Sequence, residues 1–515
     1  MKTLLSVILL LNGTLFGQEI DFGKLNNYVK KAMRDYKMPG LAIGVVQNGD
    51  IVYQQGYGVT KTGNEQRVST NAMFGIASLS KAFTAASIGM LVEEGKLKWD
   101  DKVTKHLPDW KLNDPLVTNM MTIEDLLCHR SGLKTFDGDL LWYGSNYSRK
   151  EIITRISHLP LSYEYRNGFG YQNIMYITAG EVIEKAAGMS WDKFVDTRIL
   201  SPLGMTQTVS SITKYKENTK IAYPHLKGVT QELINYDNSG ATAALNSNLV
   251  DMLTWTMFWL NKGVHHGDTL LKASTVEKIF NLETPLNVSG FDKRNGTHFK
   301  GYGLGWFLMD YNGKKIVHHG GGLPGYITKV ALVPEENMGI VILTNDMSSI
   351  CTALMYKTFD MAFNPKLNRD WSKEFSGYGK MSDSLSLVKK EKQNAARKTD
   401  TQPSALLENY TGTYTDDYYG KATVTLEGKG KKAKLKLVLE PAKELFTATC
   451  DHWQDDTFVF KFNDEFLPRG FANYKVENGK VTGFTIDLPN PDFHFSNLDF
   501  LKVRTHGTME LDYNF

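Results

Sequence analysis

The sequence has little cysteine and lacks the common metal-binding motifs. Its 515 residues include three cysteines, Cys128, Cys351 and Cys450, which lie far apart, and neither a Cys-x-x-Cys pair nor a His-Glu-x-x-His segment occurs. Three separated cysteines provide no disulfide framework, and the missing motifs exclude the usual zinc sites. We therefore expect a protein that needs no metal and no cofactor.

An excess of charge of either sign is also absent. The 59 Lys and Arg residues nearly balance the 56 Asp and Glu residues, and no long stripe of basic and aromatic residues occurs. This balance argues against a nucleic-acid partner. With 42% hydrophobic and 22% charged residues, the composition is that of a folded soluble protein, and the length favours two or three domains.

Long apolar runs are lacking apart from residues 4–11 near the N-terminus. This run is much shorter than the roughly 20 residues that span a bilayer. It follows Met1-Lys2 and precedes small residues, which is the three-part pattern of a secretory signal peptide. We predict that residues 1–17 are removed and that the mature protein is periplasmic or secreted, without stable membrane insertion.

Residues 18–365 have the pattern of a mixed α/β (α+β) domain. Two apolar runs flank Asn48-Gly49, which predicts a β-hairpin near the start of this domain. Two further strands are predicted at residues 329–333 and 338–343, and helical segments lie between the two pairs. Strands at both ends of a helical region predict an antiparallel sheet flanked by helices.

The rest of the chain changes character twice. The pattern breaks at residue 366, and residues 389–398 are polar without an apolar face, which indicates a linker over residues 366–404 with room for one exposed helix. In residues 405–515, polar and apolar residues alternate over short segments separated by glycines. This alternation predicts a small all-β barrel or sandwich.

The strongest candidate for chemistry is Ser78, which begins a long helical segment that also contains Lys81. Residues three apart share one face of a helix, so the two side chains are expected side by side near its N-terminus. The free N–H groups and positive helix end there help a hydroxyl to act as a nucleophile and to stabilise an oxyanion. Lys81 accepts the proton only as a neutral amine, so its pKa must be lowered.

Ser-x-x-Lys alone is a weak motif, because a serine at the start of a helix is usually an N-cap. The motif also occurs at three other serines, Ser190, Ser211 and Ser386. Ser78 is preferred because two further motifs follow it in order, one beginning at Phe169 and the other at His319.

The ordered motifs resemble those of the penicillin-recognising serine hydrolases. Ser-x-x-Lys, Tyr-x-Asn and a Lys- or His-x-Gly triad are similar to those of the class C β-lactamase group, which includes esterases and D-amino-acid peptidases. Residues 38–42, 122–133 and 302–306 are also similar to segments of that group. The resemblance covers nearly all of residues 21–363 and implies a β-lactamase/transpeptidase-like fold.

The resemblance implies that Tyr171 is a general base that works with Lys81, and that Asn173 binds an amide of the substrate. Tyr-x-Asn also occurs at Tyr165 and Tyr236. The frame Phe-x-Tyr-x-Asn-x-x-Tyr fits Tyr171, so Tyr165 is the second choice.

The resemblance also places His319 where β-lactamases usually have lysine, and it pairs the N–H groups of Gly322 and Ser78 as an oxyanion hole. Glycines such as Gly321 lack a Cβ and let the substrate approach the strand. Because an imidazole is only partly charged near neutrality, we expect a weak carboxylate anchor and a pH-dependent activity through His319. His318 is the alternative if the strand register is shifted by one residue.

The C-terminal region has a resemblance of its own. Residues 406–414 and 452–458 are similar to a lipocalin-like module that is often appended to such hydrolases. The resemblance implies that residues 405–515 cap the catalytic domain or pack against it. The aromatic residues are expected to fill the barrel core rather than to line a ligand pocket.

We therefore predict a serine hydrolase that forms an acyl-enzyme on Ser78 and cleaves amides or esters of small-molecule or peptide substrates. D-amino-acid or cell-wall-derived peptides are preferred. A carboxylesterase and a weak β-lactamase are the alternatives, and an inactive binding or sensor protein is the alternative from another class. Specificity is expected in the loops around Trp142-Tyr143 and at residues 286–300, and the sequence carries no signal for the oligomeric state.

Overall fold

The computed structural model describes residues 20–503. The predicted signal peptide, residues 1–17, lies outside the described residues. Between residues 20 and 503, no helix is both long and apolar enough to cross a membrane.

The centre of the first domain is one antiparallel sheet. The strands of this domain are, in chain order, β1 (Gly40–Gln47), β2 (Asp50–Gly58), β3 (Phe74–Gly75), β4 (His225–Leu226), β5 (Val229–Thr230), β6 (Asn246–Ser247), β7 (Val264–His265), β8 (Asp268–Thr269), β9 (Thr284–Pro285), β10 (Lys300–Tyr302), β11 (Phe307–Tyr311), β12 (Lys314–Leu323), β13 (Tyr326–Val333) and β14 (Met338–Thr344). The sheet has the order β2-β1-β14-β13-β12-β11-β10-β9. β1 from the start of the domain and β14 from its end therefore pair with each other in this sheet. This arrangement confirms the predicted fold class.

Helices cover both faces of this sheet. In chain order they are α1 (Phe22–Tyr36), α2 (Ser80–Glu93), α3 (Val103–His106), α4 (Pro115–Met120), α5 (Ile123–Leu127), α6 (Arg149–Arg155), α7 (Asn173–Ala187), α8 (Trp191–Val195), α9 (Gly240–Ala243), α10 (Leu249–Leu260), α11 (Ala273–Ile279), α12 (Gly290–Arg294), α13 (Ile350–Phe363) and α14 (Trp371–Ala395). β1 and β14 pair from Leu41–Thr344 to Gln47–Met338 and are apolar along almost their whole length. Alternate residues of these strands pack on α1 and α13 on one face and on the larger helical layer with α2 and α10 on the other.

The stretch predicted as a linker contains α14. Trp371 at its start is fully buried, stacks on Tyr356 with ring centroids 4.6 Å apart, and donates a hydrogen bond from Nε1 to Asp360. Beyond this first turn the helix is mostly exposed. The buried Trp371 thus packs the beginning of α14 against α13. The polar, exposed remainder of α14 leads to the next domain.

The second domain is a closed antiparallel barrel. Its strands are β15 (Gly412–Asp416), β16 (Gly420–Glu427), β17 (Lys434–Leu439), β18 (Thr447–Gln454), β19 (Thr457–Phe460), β20 (Gly470–Glu477), β21 (Lys480–Asp487) and β22 (Asp499–Lys502). β15 pairs with β22, which closes the barrel and confirms the prediction. Tyr410, Tyr414, Phe458, Tyr474 and Phe484 are buried and pack edge to face or tilted, so aromatic side chains fill the interior.

The barrel packs against a segment of the first domain that lies between α5 and α6. Tyr143 donates a hydrogen bond from its hydroxyl to Asp464 of the barrel over 2.9 Å. Asp137 accepts one from His494 Nδ1, also over 2.9 Å. Both side chains of the first domain are buried, so the barrel holds this segment in place from outside.

Candidate active site

Ser78 lies in a tight turn at the head of α2. The prediction has the helix begin at Ser78, but residues Ala77–Leu79 form a 3-10 turn and the α-helix begins at Ser80. Ala77 has a φ of 51°, a left-handed conformation that a residue with a Cβ rarely adopts. Ser80 stabilises the turn, because its hydroxyl donates to Ala77 O and accepts from Leu245 N. The turn thus presents the half-buried Ser78 side chain to a cleft.

Lys81 is fully buried one turn further along, and its Nζ is surrounded by three oxygen atoms. The Nζ lies 3.1 Å from Ser78 Oγ, 2.7 Å from Asn173 Oδ1 and 3.2 Å from Thr242 O. The amide and carbonyl oxygens can only accept hydrogen bonds. When the amine is neutral, its two N–H bonds therefore point to them, and its lone pair faces the Ser78 hydroxyl.

The electrostatics of the site favour that neutral amine. Burial lowers the pKa of Lys81 well below its ordinary value, and the Asp139 carboxyl opposes this shift only in part. Burial also raises the pKa of Asp139 to about 8. Burial therefore outweighs the attraction between the two groups and favours the uncharged form of each.

Asp139 orients the amide of Asn173, the first residue of α7. Asn173 Nδ2 donates to Asp139 Oδ2 over 2.6 Å, while Asn173 Oδ1 accepts from Lys81 and from the hydroxyl of Thr242. This set of partners fixes which atom of the amide is oxygen. Asn173 is therefore held by the protein with its oxygen directed at Lys81.

Tyr171 covers the same amine from another side. Lys81 Nζ lies 4.8 Å from the centroid of the Tyr171 ring, and His129 packs against this ring with centroids 4.2 Å apart. Burial raises the pKa of Tyr171, although the neighbouring Ser78 hydroxyl lowers it slightly. The phenol is consequently protonated near neutrality.

The two alternative Tyr-x-Asn sequences lie elsewhere. The Tyr165 hydroxyl donates to the Asp125 carboxylate and to Met120 O. Tyr236 packs on the aromatic rings of Trp142 and Tyr143. The structure therefore brings Tyr171, and not these residues, to Ser78.

The glycines of the third motif bring β12 close to the turn of Ser78. A Cβ on Gly321 would lie 2.2 Å from Ile76 O and 2.3 Å from Thr328 Oγ1, so any side chain at this position would push the strand away from the turn. We predicted that the substrate requires this space, whereas the backbone before Ser78 occupies it.

One edge of β12 is open beside Ser78. β11 pairs with β12 only as far as His318, so the residues that follow have a partner on one side, in β13. Gly322 pairs with Ile327 next to the two-residue turn that joins Leu323 to Tyr326. The alternation of an antiparallel pair directs the Gly322 N–H to the open edge, where the resemblance places the oxyanion hole.

Burial opposes titration of His319 near neutrality, contrary to the expectation from the sequence. Its Nδ1–H donates to Gly320 O over 2.6 Å, and its Nε2 accepts from the Tyr302 hydroxyl over 2.9 Å. The side chain is 1% exposed, and burial, with a smaller effect of Lys81, lowers its pKa to about 3. His319 is thus a neutral hydrogen-bonding group, whereas a lysine at this position would be a cation.

A cavity of about 650 Å³ opens in front of Ser78. Trp142, Leu286 and Asp292 line it, so both predicted specificity loops contribute to its wall. The barrel also supplies three lining residues, Phe466, Asp492 and Phe493. Within residues 20–503 no group of three or more His, Cys, Asp or Glu side chains is arranged to hold a metal ion.

Several residues of this site are not marked by any sequence motif. Asp139, Thr242 and Asp492 belong to no motif, and no sequence signal distinguishes them from other residues of their types. Tyr302 lies in the segment 302–306 that resembles the family, but its contact with His319 follows only from the pairing of β10, β11 and β12.

Comparison with known families gives two matches. The family described as Beta-lactamase matches residues 25–354. A domain of unknown function, DUF3471, matches residues 396–502, which include all strands of the barrel.

Individual relatives are distant. Unguisins hydrolase ungD' of Aspergillus campestris is 28% identical over 431 residues, which are 77% of this chain and 76% of the relative. Penicillin-binding protein 4* of Bacillus subtilis is 29% identical over 318 residues, which are 58% of this chain and 66% of the relative. The solved structure of the octameric penicillin-binding protein homologue from Pyrococcus abyssi covers 94% of this chain and 100% of its own, with 20% identity and a TM-score of 0.59, and it shows a shared fold alone.

Proposed function

Since the chain belongs to the beta-lactamase family, we propose that it is a serine hydrolase that forms an acyl-enzyme on Ser78. The observation that carries this proposal is the buried Lys81 amine, which lies 3.1 Å from Ser78 Oγ and within hydrogen-bond distance of two neutral acceptors, Asn173 Oδ1 and Thr242 O. A neutral amine at this distance is a general base for a hydroxyl nucleophile.

In the first step, Lys81 takes the proton as Ser78 Oγ attacks the substrate carbonyl carbon. The N–H groups of Ser78 and Gly322 bind the oxyanion that forms. As the tetrahedral intermediate collapses, the Tyr171 phenol gives its proton to the leaving group and regains one from the Lys81 ammonium. The high pKa of Tyr171 supports this role, because the phenol keeps its proton until a stronger base is released.

Water then attacks the acyl-enzyme, and the same groups act in reverse. Lys81 accepts a proton of the water as the water oxygen bonds to the acyl carbon. When the bond to Ser78 Oγ breaks, the Tyr171 phenol gives its proton to Oγ and regains one from the Lys81 ammonium. The cycle uses the side chains of Ser78, Lys81 and Tyr171 and the backbone N–H groups of Ser78 and Gly322.

The favoured substrates are small amides, with D-amino-acid or cell-wall-derived peptides preferred. Two relatives named unguisins hydrolases cover most of this chain, and a third is a penicillin-binding protein. Asp492 adds a carboxyl group to the cavity, which favours a substrate with an amino group near the scissile bond. The neutral His319 offers no cation to a β-lactam carboxylate, so a carboxylesterase ranks second and a β-lactamase third.

We also propose export to the periplasm or the medium. This proposal rests on the apolar run at residues 4–11 and the charged residue before it. Measurement of the N-terminus of the secreted protein tests it, with cleavage after residue 17 expected.

Labelling of Ser78 tests the proposed chemistry. We expect a fluorophosphonate to add one adduct, located at Ser78 by peptide mass spectrometry, and a panel of aminoacyl amides, esters and β-lactams to rank as above. Ser78→Ala removes both labelling and turnover. Ser190→Ala is the matched control, because Ser190 also belongs to a Ser-x-x-Lys sequence but caps α8 by accepting from Lys193 N. Normal turnover in Ser78→Ala, or no labelling and no turnover of any panel member by the wild type, contradicts the proposal.

A further inference from the structure

The cavity in front of Ser78 continues around the open edge of β12 to the opposite face of the sheet. Val317 packs with the helical layer of α2, and Ile316 packs with α1 and α13. The alternation of side chains along a strand therefore places His318 on the α13 face. His318, Gly320 and Gly322 all line the cavity, so its wall passes from one face to the other along the glycines.

Lys329 of β13 lies on this second face, directly opposite Gly320 in the register. A Cβ on Gly320 would lie 3.6 Å from Lys329 Nζ, so the amine is positioned over the glycine, next to the open edge. Within residues 20–503, Lys329 has neither a hydrogen-bond acceptor nor a carboxylate partner. Burial and, less strongly, Lys300 lower the pKa of Lys329, although Cys351 opposes the shift.

The other polar groups on this side leave the amine without a counter-ion. Asp292 accepts from Lys300 Nζ over 2.9 Å and from the Ser289 hydroxyl over 2.6 Å, so its carboxylate already has partners. The His318 ring stacks on Phe307, and its Nδ1 is buried without a hydrogen-bond partner among the described residues. Two nitrogen atoms therefore lie at one cavity wall with unused hydrogen-bonding capacity.

Most of the remaining wall is apolar, with Thr352 as a polar exception. The apolar part is formed by side chains of β11, β13 and α13, namely Met309, Ile327, Met355 and Tyr356. A buried amine in such surroundings is costly unless an anion enters with the ligand.

We propose that this part of the cavity binds a carboxylate carried on an apolar arm of the substrate. Lys329 supplies the cation, and the neutral His318 donates a hydrogen bond. The glycine edge of β12 gives the arm its passage from Ser78. The assignment rests on the proposed function, since it takes the ligand to be a substrate of Ser78. Lys329 thus supplies the cation that the neutral His319 does not. It does so from the strand next to that of His319 and from the opposite face of the sheet.

Matched substrates test the assignment. Two pairs of p-nitroanilides are compared, each with a terminal carboxylate or its methyl ester, on the acyl group in one pair and on the leaving group in the other. In Lys329→Met, the ratio of kcat/KM for the carboxylate to kcat/KM for the ester falls about tenfold for one pair. The fall is due to a higher KM for the carboxylate rather than to a lower kcat. Lys315→Met is the control, because Lys315 is an exposed lysine of β12 that donates to Phe280 O and does not line the cavity. An unchanged ratio in both pairs overturns the proposal.

A binding measurement separates this proposal from the proposed hydrolysis. Calorimetry compares glutarate with dimethyl glutarate on the folded wild type, on Lys329→Met and on Lys329→Gln, and it needs no turnover. Glutarate that binds the wild type, competes with the p-nitroanilide and loses at least tenfold in affinity in both variants supports the assignment. Equal binding to all three proteins overturns it, and binding that does not compete with substrate overturns the assignment to a substrate group. If Ser78 is not labelled and no panel member, the p-nitroanilides included, is turned over, the hydrolase proposal fails, and loss of glutarate affinity still reports on the carboxylate site.

Discussion

Two buried polar clusters of the first domain, one around Asp125 and the other around Lys81, differ in how their central charge is paired. The Asp125 carboxylate accepts from Arg130 Nε over 2.6 Å and from Arg166 Nη2 over 2.7 Å, and the Tyr165 hydroxyl also donates to it. Burial raises the pKa of Asp125, but these hydrogen bonds outweigh burial and hold the pKa well below its ordinary range. Lys81 has only neutral acceptors around it.

This difference explains why two similar sequences have different roles. Tyr165-Arg166-Asn167 and Tyr171-Gln172-Asn173 both fit Tyr-x-Asn. In the first, the charge at the centre is fully paired, so the cluster holds the chain in one conformation. In the second, burial lowers the pKa of the central amine and so favours its neutral form, which is the requirement for proton transfer.

The largest expected effect comes from restoring a permanent charge at the second cluster. Lys81→Arg lowers the rate of fluorophosphonate labelling about 10⁴-fold or more, because guanidinium does not release its proton near neutrality. A time course of quenched labelling reactions, read by mass spectrometry, measures the labelling rate. Thermal unfolding of the same variant is the control for folding, and labelling within tenfold of the wild type would assign the base to another residue.

Removal of the charge at the first cluster should affect stability instead. Asp125→Ala leaves Arg130 and Arg166 without their buried partner and is expected to lower the free energy of unfolding by about 3 kcal/mol. Denaturant unfolding monitored by tryptophan fluorescence measures this change. Asp109→Ala, at an exposed carboxylate, should change the value by less than about 0.5 kcal/mol. A loss as small as that in Asp125→Ala would show that the cluster is not structural.

Substitution of Tyr171 should affect catalysis, and substitution of Tyr165 should affect stability. Tyr171→Phe lowers kcat about 10²-fold, which is the usual contribution of a general acid or base. Tyr165→Phe changes kcat little and lowers stability, since it removes hydrogen bonds to Asp125 and to Met120 O, away from Ser78. Steady-state kinetics on one amide substrate compares the variants, and the reverse ranking would move the catalytic motif to Tyr165.

The smallest expected effect concerns the shape of the pH profile. Because the pKa of Lys81 is lowered, kcat/KM rises with pH until this amine is neutral and stays level above that point. Tyr171 keeps its proton there, since its pKa is raised. His319→Asn changes the height of the profile without changing its inflection, because the pKa of His319 is already about 3. An inflection near neutrality that disappears in His319→Asn would restore the role predicted from the sequence.

Much of the architecture follows from local pattern. The apolar, β-branched runs of β1, β13 and β14 are too uniformly apolar to lie on a surface, and they predict a buried sheet. The alternation of polar and apolar residues in β16, β17 and β21 predicts a barrel whose outer face is exposed to solvent. The closed barrel confirms this prediction. Gly95, with a left-handed φ of 72°, follows the end of α2, where glycine is the favoured residue.

The fold class, the order of the three motifs and the pairing of Ser78 with Lys81 followed from the residues alone, because periodicity and short spacing act over a few residues. Which groups carry a charge depended on the fold. Burial by distant segments lowers the pKa of Lys81 and of His319, while hydrogen bonds from Arg130 and Arg166 lower that of Asp125. A pKa depends on every atom within several ångströms, and those atoms come from parts of the chain that no local pattern connects.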